Sequence, residues 1–113
     1  MAAFQLALSL TNTDNEAEAL ELLRERAPGA QRALGPDHEL TLCLRRSLGA
    51  SLVMNAGTNI SYLTEAVTLL EDVLRRSRRV FGKSHPDTKV TEDNLESAKK
   101  RRAAAELLES RES

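Results

Sequence analysis

The chain has 113 residues, of which 41% are hydrophobic and 29% charged, a balance that suits one folded unit or a few repeats and excludes a disordered tail. With 3% aromatic residues and no Trp, the interior has to be built from Leu, Val and Ala, which packs helices more readily than strands. The formal charge is -1, and the parts before and after Gly57 carry 5 basic with 7 acidic and 11 basic with 10 acidic residues, so no overall field draws the chain to nucleic acid or an anionic membrane.

Met1 to Leu10 is apolar, but it has no basic residue ahead of the apolar run and Gln5 interrupts it, so it does not read as a signal peptide. No stretch approaches the roughly 20 apolar residues of a membrane-spanning helix. Gln5-Leu6-Ala7 reads as part of a helix, and Glu18-Ala19 belongs to the next one. Ala27-Pro28-Gly29 predicts a kink or break in that second helix, because proline gives up a backbone hydrogen bond and crowds the preceding turn. Leu34 to Thr41 (LGPDHELT) ends one helix on glycine and opens another, with Asp37 able to accept the free amide hydrogens of the new helix.

Leu40, Leu44, Leu48 and Leu52 recur every fourth residue and predict a helix from about Glu39 to Met54. Asn55 to Ser61 is a turn. Leu63, Ala66, Val67, Leu70, Val73, Leu74 and Phe81 then mark a second helix, antiparallel to the first, with Glu71 to Arg75 and Asp72 to Arg76 as i,i+4 pairs on its solvated side. Phe81 to Thr88 (FGKSHPDT) repeats the earlier junction at an offset of 47, with Ser84 as candidate cap and Pro86 in the first turn of a last helix running to about Leu108. The same offset relates Glu18-Ala19 to Glu65-Ala66, so both second helices hold the same position relative to their junctions.

His38, His85 and Cys43 are the candidates for metal or nucleophilic chemistry. The histidines stand one repeat apart and read as turn residues, and Cys43 beside the leucine stripe reads as a half-buried thiol. With no phosphate-binding loop, nucleophile elbow or paired-histidine motif, the chain is read as no enzyme, with no cofactor, metal or small-molecule substrate. Arg75 to Arg79 and Lys99 to Arg102 form basic runs, but Arg102 to Glu106 adds another i,i+4 pair and no aromatic residues interleave for base stacking, so nucleic acid is a remote alternative. The lone cysteine fits a reducing, cytoplasmic setting.

In combination these signatures resemble the tetratricopeptide repeats of the kinesin-light-chain type. Onto that family's Asn-Leu-Ala fall Gln5-Leu6-Ala7, Ser47-Leu48-Gly49 and Asn94-Leu95-Glu96; onto its Glu-Ala fall Glu18-Ala19 and Glu65-Ala66; onto its Gly-x-x-His-Pro-x-Thr junction fall Gly35 to Thr41 and Gly82 to Thr88. The resemblance implies an all-α fold of tandem antiparallel helix-turn-helix repeats, a short right-handed α-solenoid of about two and a half units. Residues 1-35 would form a truncated first repeat, 36-82 a second, and 83-113 a third first-helix whose polar residues Lys99, Lys100, Arg101, Arg102, Glu106 and Glu109 cap the stack. The family period is a few residues shorter than 47, which places the surplus in a lengthened turn around Gly57 to Tyr62. The resemblance further implies a scaffold or adaptor that binds a protein or peptide segment in a concave groove lined by first helices, at Gln5, Arg46, Ser47, Ala50, Asp93, Asn94 and Ser97. Asn94 would bond a ligand backbone and Arg46 an acidic group. The open ends also raise self-association, or a structural role at the end of a longer array.

Overall fold

A computed structural model describes residues 16-112, which form four helices: α1 (Glu16–Leu34), α2 (Glu39–Ala56), α3 (Ile60–Val80) and α4 (Pro86–Glu112). Each helix packs on the next in chain order, and α4 also touches α2. Only three residues, Gly57 to Asn59, separate α2 from α3, so the two form an antiparallel hairpin. This hairpin sits between α1 and α4 as a short helical-repeat solenoid.

The core confirms the predicted stripes and widens them. Leu63, Ala66, Leu70 and Val73 are fully buried, as are Leu23 of α1 and Leu52 of α2, each contributing about 1.5-3 kcal/mol for the larger side chains. Around α2, Thr41, Leu42, Ser51 and Val53 are buried as well as Leu44, Leu48 and Leu52, because three helices surround it. Gly49 marks the closest approach of the hairpin: a Cβ built there would lie 2.6 Å from Leu70 Cγ.

The 47-residue register holds bond by bond at the junctions. Gly35 and Gly82 adopt φ of 93° and 94°, the left-handed region that glycine enters without a Cβ penalty. Gly35 N donates to Gln31 O and Gly82 N to Arg78 O, the first pair at 2.9 Å and the second at 3.1 Å. The caps, however, are neither Asp37 nor Ser84. His38 Nδ1 accepts from Leu40 N at 3.1 Å, and His85 Nδ1 accepts from Asp87 N at 3.0 Å. An imidazole nitrogen on an extended residue reaches the second amide of the helix as a short oxygen side chain would. The His85 ring also stacks on Phe81, with centroids 4.6 Å apart. Replacing His38 with Ala should cost about 1 kcal/mol in chemical denaturation, whereas Asn should retain most of it.

Two sequence expectations, a break at Pro28 and a lengthened turn near Gly57, fail. Helix α1 runs unbroken through Pro28, which lies exposed while Leu23 and Ala27 are buried, so packing against α2 outweighs the lost backbone bond. The turn near Gly57 is also not lengthened: Ile60 to Tyr62 already belong to α3, capped by Asn59 Oδ1 accepting from Tyr62 N at 3.2 Å.

Candidate functional site

Helices α2 and α4, the first helices of successive units, approach closely, whereas α1 and α3 do not make backbone contact. The side carrying α1 and α3 is spanned by long side chains instead: Arg24 donates to Glu65 at 2.7 Å and lies 5.6 Å from the centre of the Tyr62 ring. Unequal spacing of this kind curves a stack and places α2 and α4 on its inner side.

Among the residues expected on that side, Arg46, Ser47 and Ala50 lie half-buried on α2. On α4, Asn94 is half-buried and Asp93 and Ser97 are exposed. Gln5 lies outside the described residues. Asn94 has no hydrogen-bond partner for its side-chain amide among the described residues, which leaves both a donor and an acceptor for a ligand. Arg46 is not free: its Nη1 sits 3.5 Å from Asp87 Oδ1 and ties α2 to the start of α4. Asp93 and Ser97 share a shallow depression of about 420 Å³ with Glu96, Lys100 and Arg101, all on α4. The α2 residues do not reach it.

Sequence reasoning missed the apolar members of this side. Met54 and Val90 are each 44% exposed, and Cys43 is half-buried at the position one repeat before Val90. The repeat register held the signal, since it aligns Cys43 with Val90 and Met54 with Arg101. Burial pushes the Cys43 thiol above its usual range; Arg46 opposes this and Asp87 and Glu39 add to it. The thiol therefore stays protonated at neutral pH. Alkylation of Cys43 should lag well behind a free cysteine peptide at neutral pH, and comparable rates would contradict this assignment.

The basic runs are largely matched by acids. Asp72 accepts from Arg45 at 2.6 Å, from Arg76 at 3.0 Å and from Arg75, while Asp37 accepts from Arg76 at 2.9 Å and from Arg79 at 3.0 Å. Of the expected pairs, Asp72 with Arg76 and Arg102 with Glu106 form, but Glu71 lies 4.0 Å from Lys99 and Arg75 turns to Asp72. Among the described residues no group of three or more His, Cys, Asp or Glu stands close enough to hold a metal ion. None of their helices is long and apolar enough to cross a membrane.

Comparison with known proteins gives one finding. The family profile described as tetratricopeptide repeat matches residues 5-40 and 61-87, more than half of the chain; these segments take in α1 with its junction and α3 with its junction. No curated protein and no solved structure matches the chain. Repeats of this kind are non-catalytic and generally mediate protein-protein interaction. Helix pairing, the duplicated junction and the profile agree, and the chain belongs to the tetratricopeptide-repeat family.

Proposed function

We propose that the chain is a non-enzymatic, cytoplasmic scaffold or adaptor, with repeats of the kinesin-light-chain type, that holds a segment of a partner protein on the inner side of α2 and α4. The observation that carries this reading is the unpartnered, half-buried Asn94 amide on the side where α2 and α4 converge. Ser47, Ala50 and Ser97 offer small side chains that let a backbone approach, and Met54 and Val90 offer apolar contact. Asp93 and the Arg46–Asp87 pair frame this surface with opposite charges. Binding is then burial and hydrogen bonding of an extended or helical segment, with no covalent step.

The proposed organisation is a first repeat over 1-35, a second over 36-82, and α4 within 83-113 as the cap. Register supports the cap. The α2 positions Leu42, Gly49, Leu52 and Val53, buried in the hairpin core, correspond to Lys89, Glu96, Lys99 and Lys100 of α4, all exposed. A further helix packed as α3 packs on α2 would bury those four charges, a cost that apolar packing does not offset.

The test is selection of binding peptides from a random library, followed by affinity measurement with Asn94→Ala, Ala50→Arg and an outer-side control, Arg78→Glu. The first two should weaken binding about tenfold or more while the control leaves it unchanged. Equal affinities across all three would overturn the site. Binding to single-stranded nucleic acid that falls steeply with salt would favour the electrostatic alternative instead.

A further inference from the structure

Helix α4 brings to the inner side two charges that have no ionic partner among the described residues. Asp93 makes no side-chain hydrogen bond or ion pair there, and Arg101 reaches only the carbonyl oxygen of Gly57, at 3.5 Å. Both line the depression of about 420 Å³ along α4, whose other charges, Glu96 and Lys100, satisfy each other at 3.4 Å. Along α2 from Cys43 to Met54 both arginines are taken, Arg45 by Asp72 at 2.6 Å and Arg46 by Asp87 at 3.5 Å. We propose that the partner segment is extended and bipolar, with a basic side chain set against Asp93 and an acidic one, four residues away in its own sequence, set against Arg101. The proposal rests on the inner side of α2 and α4 being the binding surface, and it names the chemistry of the ligand.

Asp93 and Arg101 stand eight residues apart, about 12 Å along the helix. Extended chain advances about 3.3 Å per residue and turns alternate side chains to the same face, so residues four apart span about 13 Å on one face. Between the two charges, Asn94 offers the free donor and acceptor of its amide, and Ser97 offers a small side chain. An extended backbone has unused N–H and C=O groups to meet that amide, whereas a helical segment has spent them internally.

A segment bearing one sign of charge meets attraction at one end and repulsion at the other, so the two residues discriminate between partners as well as attract. Both are exposed, and each contact contributes at the level of a surface ion pair, a few-fold in affinity. The preceding unit does not duplicate the arrangement. In the repeat register Asp93 corresponds to Arg46, which Asp87 already holds, and Arg101 corresponds to Met54. Charge recognition therefore belongs to α4, while α2 contributes small and apolar side chains.

The experiment uses the full chain and a peptide selected from a random library for binding that Asn94→Ala weakens. Its sequence should hold a base and an acid four residues apart. Two derivatives of that peptide, one with the acid replaced by lysine and one with the base replaced by glutamate, should each bind the native chain about fivefold more weakly. Asp93→Arg should restore binding of the two-acid peptide and Arg101→Glu that of the two-base peptide, with helical content by circular dichroism unchanged and all of these preferences shrinking as salt is raised. Equal affinity for the three peptides, or no restoration by either variant, would overturn the bipolar segment while the dependence on Asn94 still upholds the inner side as the binding surface. Absence of any peptide whose binding depends on Asn94 would defeat both.

Discussion

Gly49→Ala should destabilise the chain by about 2 kcal/mol, although the same exchange in an exposed helix stabilises by about 1 kcal/mol. The new Cβ would lie 2.6 Å from Leu70 Cγ and 2.7 Å from its Cδ2, and Leu70 is fully buried with no open side to move into. Either α2 and α3 separate, with loss of packing around Leu52, Leu63 and Leu70, or Leu70 leaves its preferred rotamer. In urea denaturation the midpoint should fall without a large change in slope, and the melting temperature should drop by roughly 10 °C. The double variant Gly49→Ala with Leu70→Ala should lose less than the two single costs added together, because the second change makes room for the first. An unchanged or raised midpoint for Gly49→Ala alone would mean that the hairpin is looser than described.

Asp72→Asn should cost about 2 kcal/mol and remove part of the acid sensitivity of the fold. Asp72 joins Arg45 of α2 to Arg76 of α3, and Arg76 continues to Asp37 in the α1–α2 junction. The amide leaves Arg45, whose side chain is only 14% exposed, without its charged partner. Burial alone would raise the Asp72 carboxyl, but the hydrogen bonds from Arg45 and Arg76 outweigh it and hold the group below its ordinary 3.8. Asp37 is lowered as well, chiefly by the hydrogen bond from Arg76. For both groups the unfolded chain binds the proton more tightly, so their stabilising contribution is complete above the ordinary carboxylate value and is lost as pH falls through the lower folded value. Denaturation midpoints recorded from neutral pH down to pH values below 3.8 should fall for the native chain, and fall less for Asp72→Asn. Parallel curves would show that this network does not set the acid response.

The antiparallel hairpin was legible because Leu44, Leu48, Leu52 and the stripe from Leu63 to Leu74 obey helical spacing and are buried as read. The burial of α2 on more than one side was not. A single apolar stripe describes a helix with one wet face, whereas Thr41, Leu42 and Val53 turn toward further neighbours. The duplicated junction was legible as a register, yet its caps went to the neighbouring oxygen side chains, since Asp and Ser cap far more often than His. Asp37 was thereby released to bind Arg76 and Arg79. The continuity of α1 through Pro28 was hidden because local propensity predicts the break and only tertiary burial of Leu23 and Ala27 opposes it.

For the site, spacing alone placed Arg46, Ser47 and Ala50 on one helix and Asp93, Asn94 and Ser97 on another, and it could not show that Arg46 meets Asp87. Such a pair spans elements that only the packed fold brings together. Met54 and Val90 escaped notice because exposed apolar residues become informative only once the buried ones are known.

Amide hydrogen exchange of the full chain with and without a library-selected peptide tests the central claim most directly. The account predicts that bound peptide slows exchange over the inner side, in α2 from Cys43 to Met54 and in α4 from Val90 to Arg101, with α3 from Leu74 to Val80 unaffected. Protection confined to α1 and α3, with α2 and α4 unchanged, would contradict it.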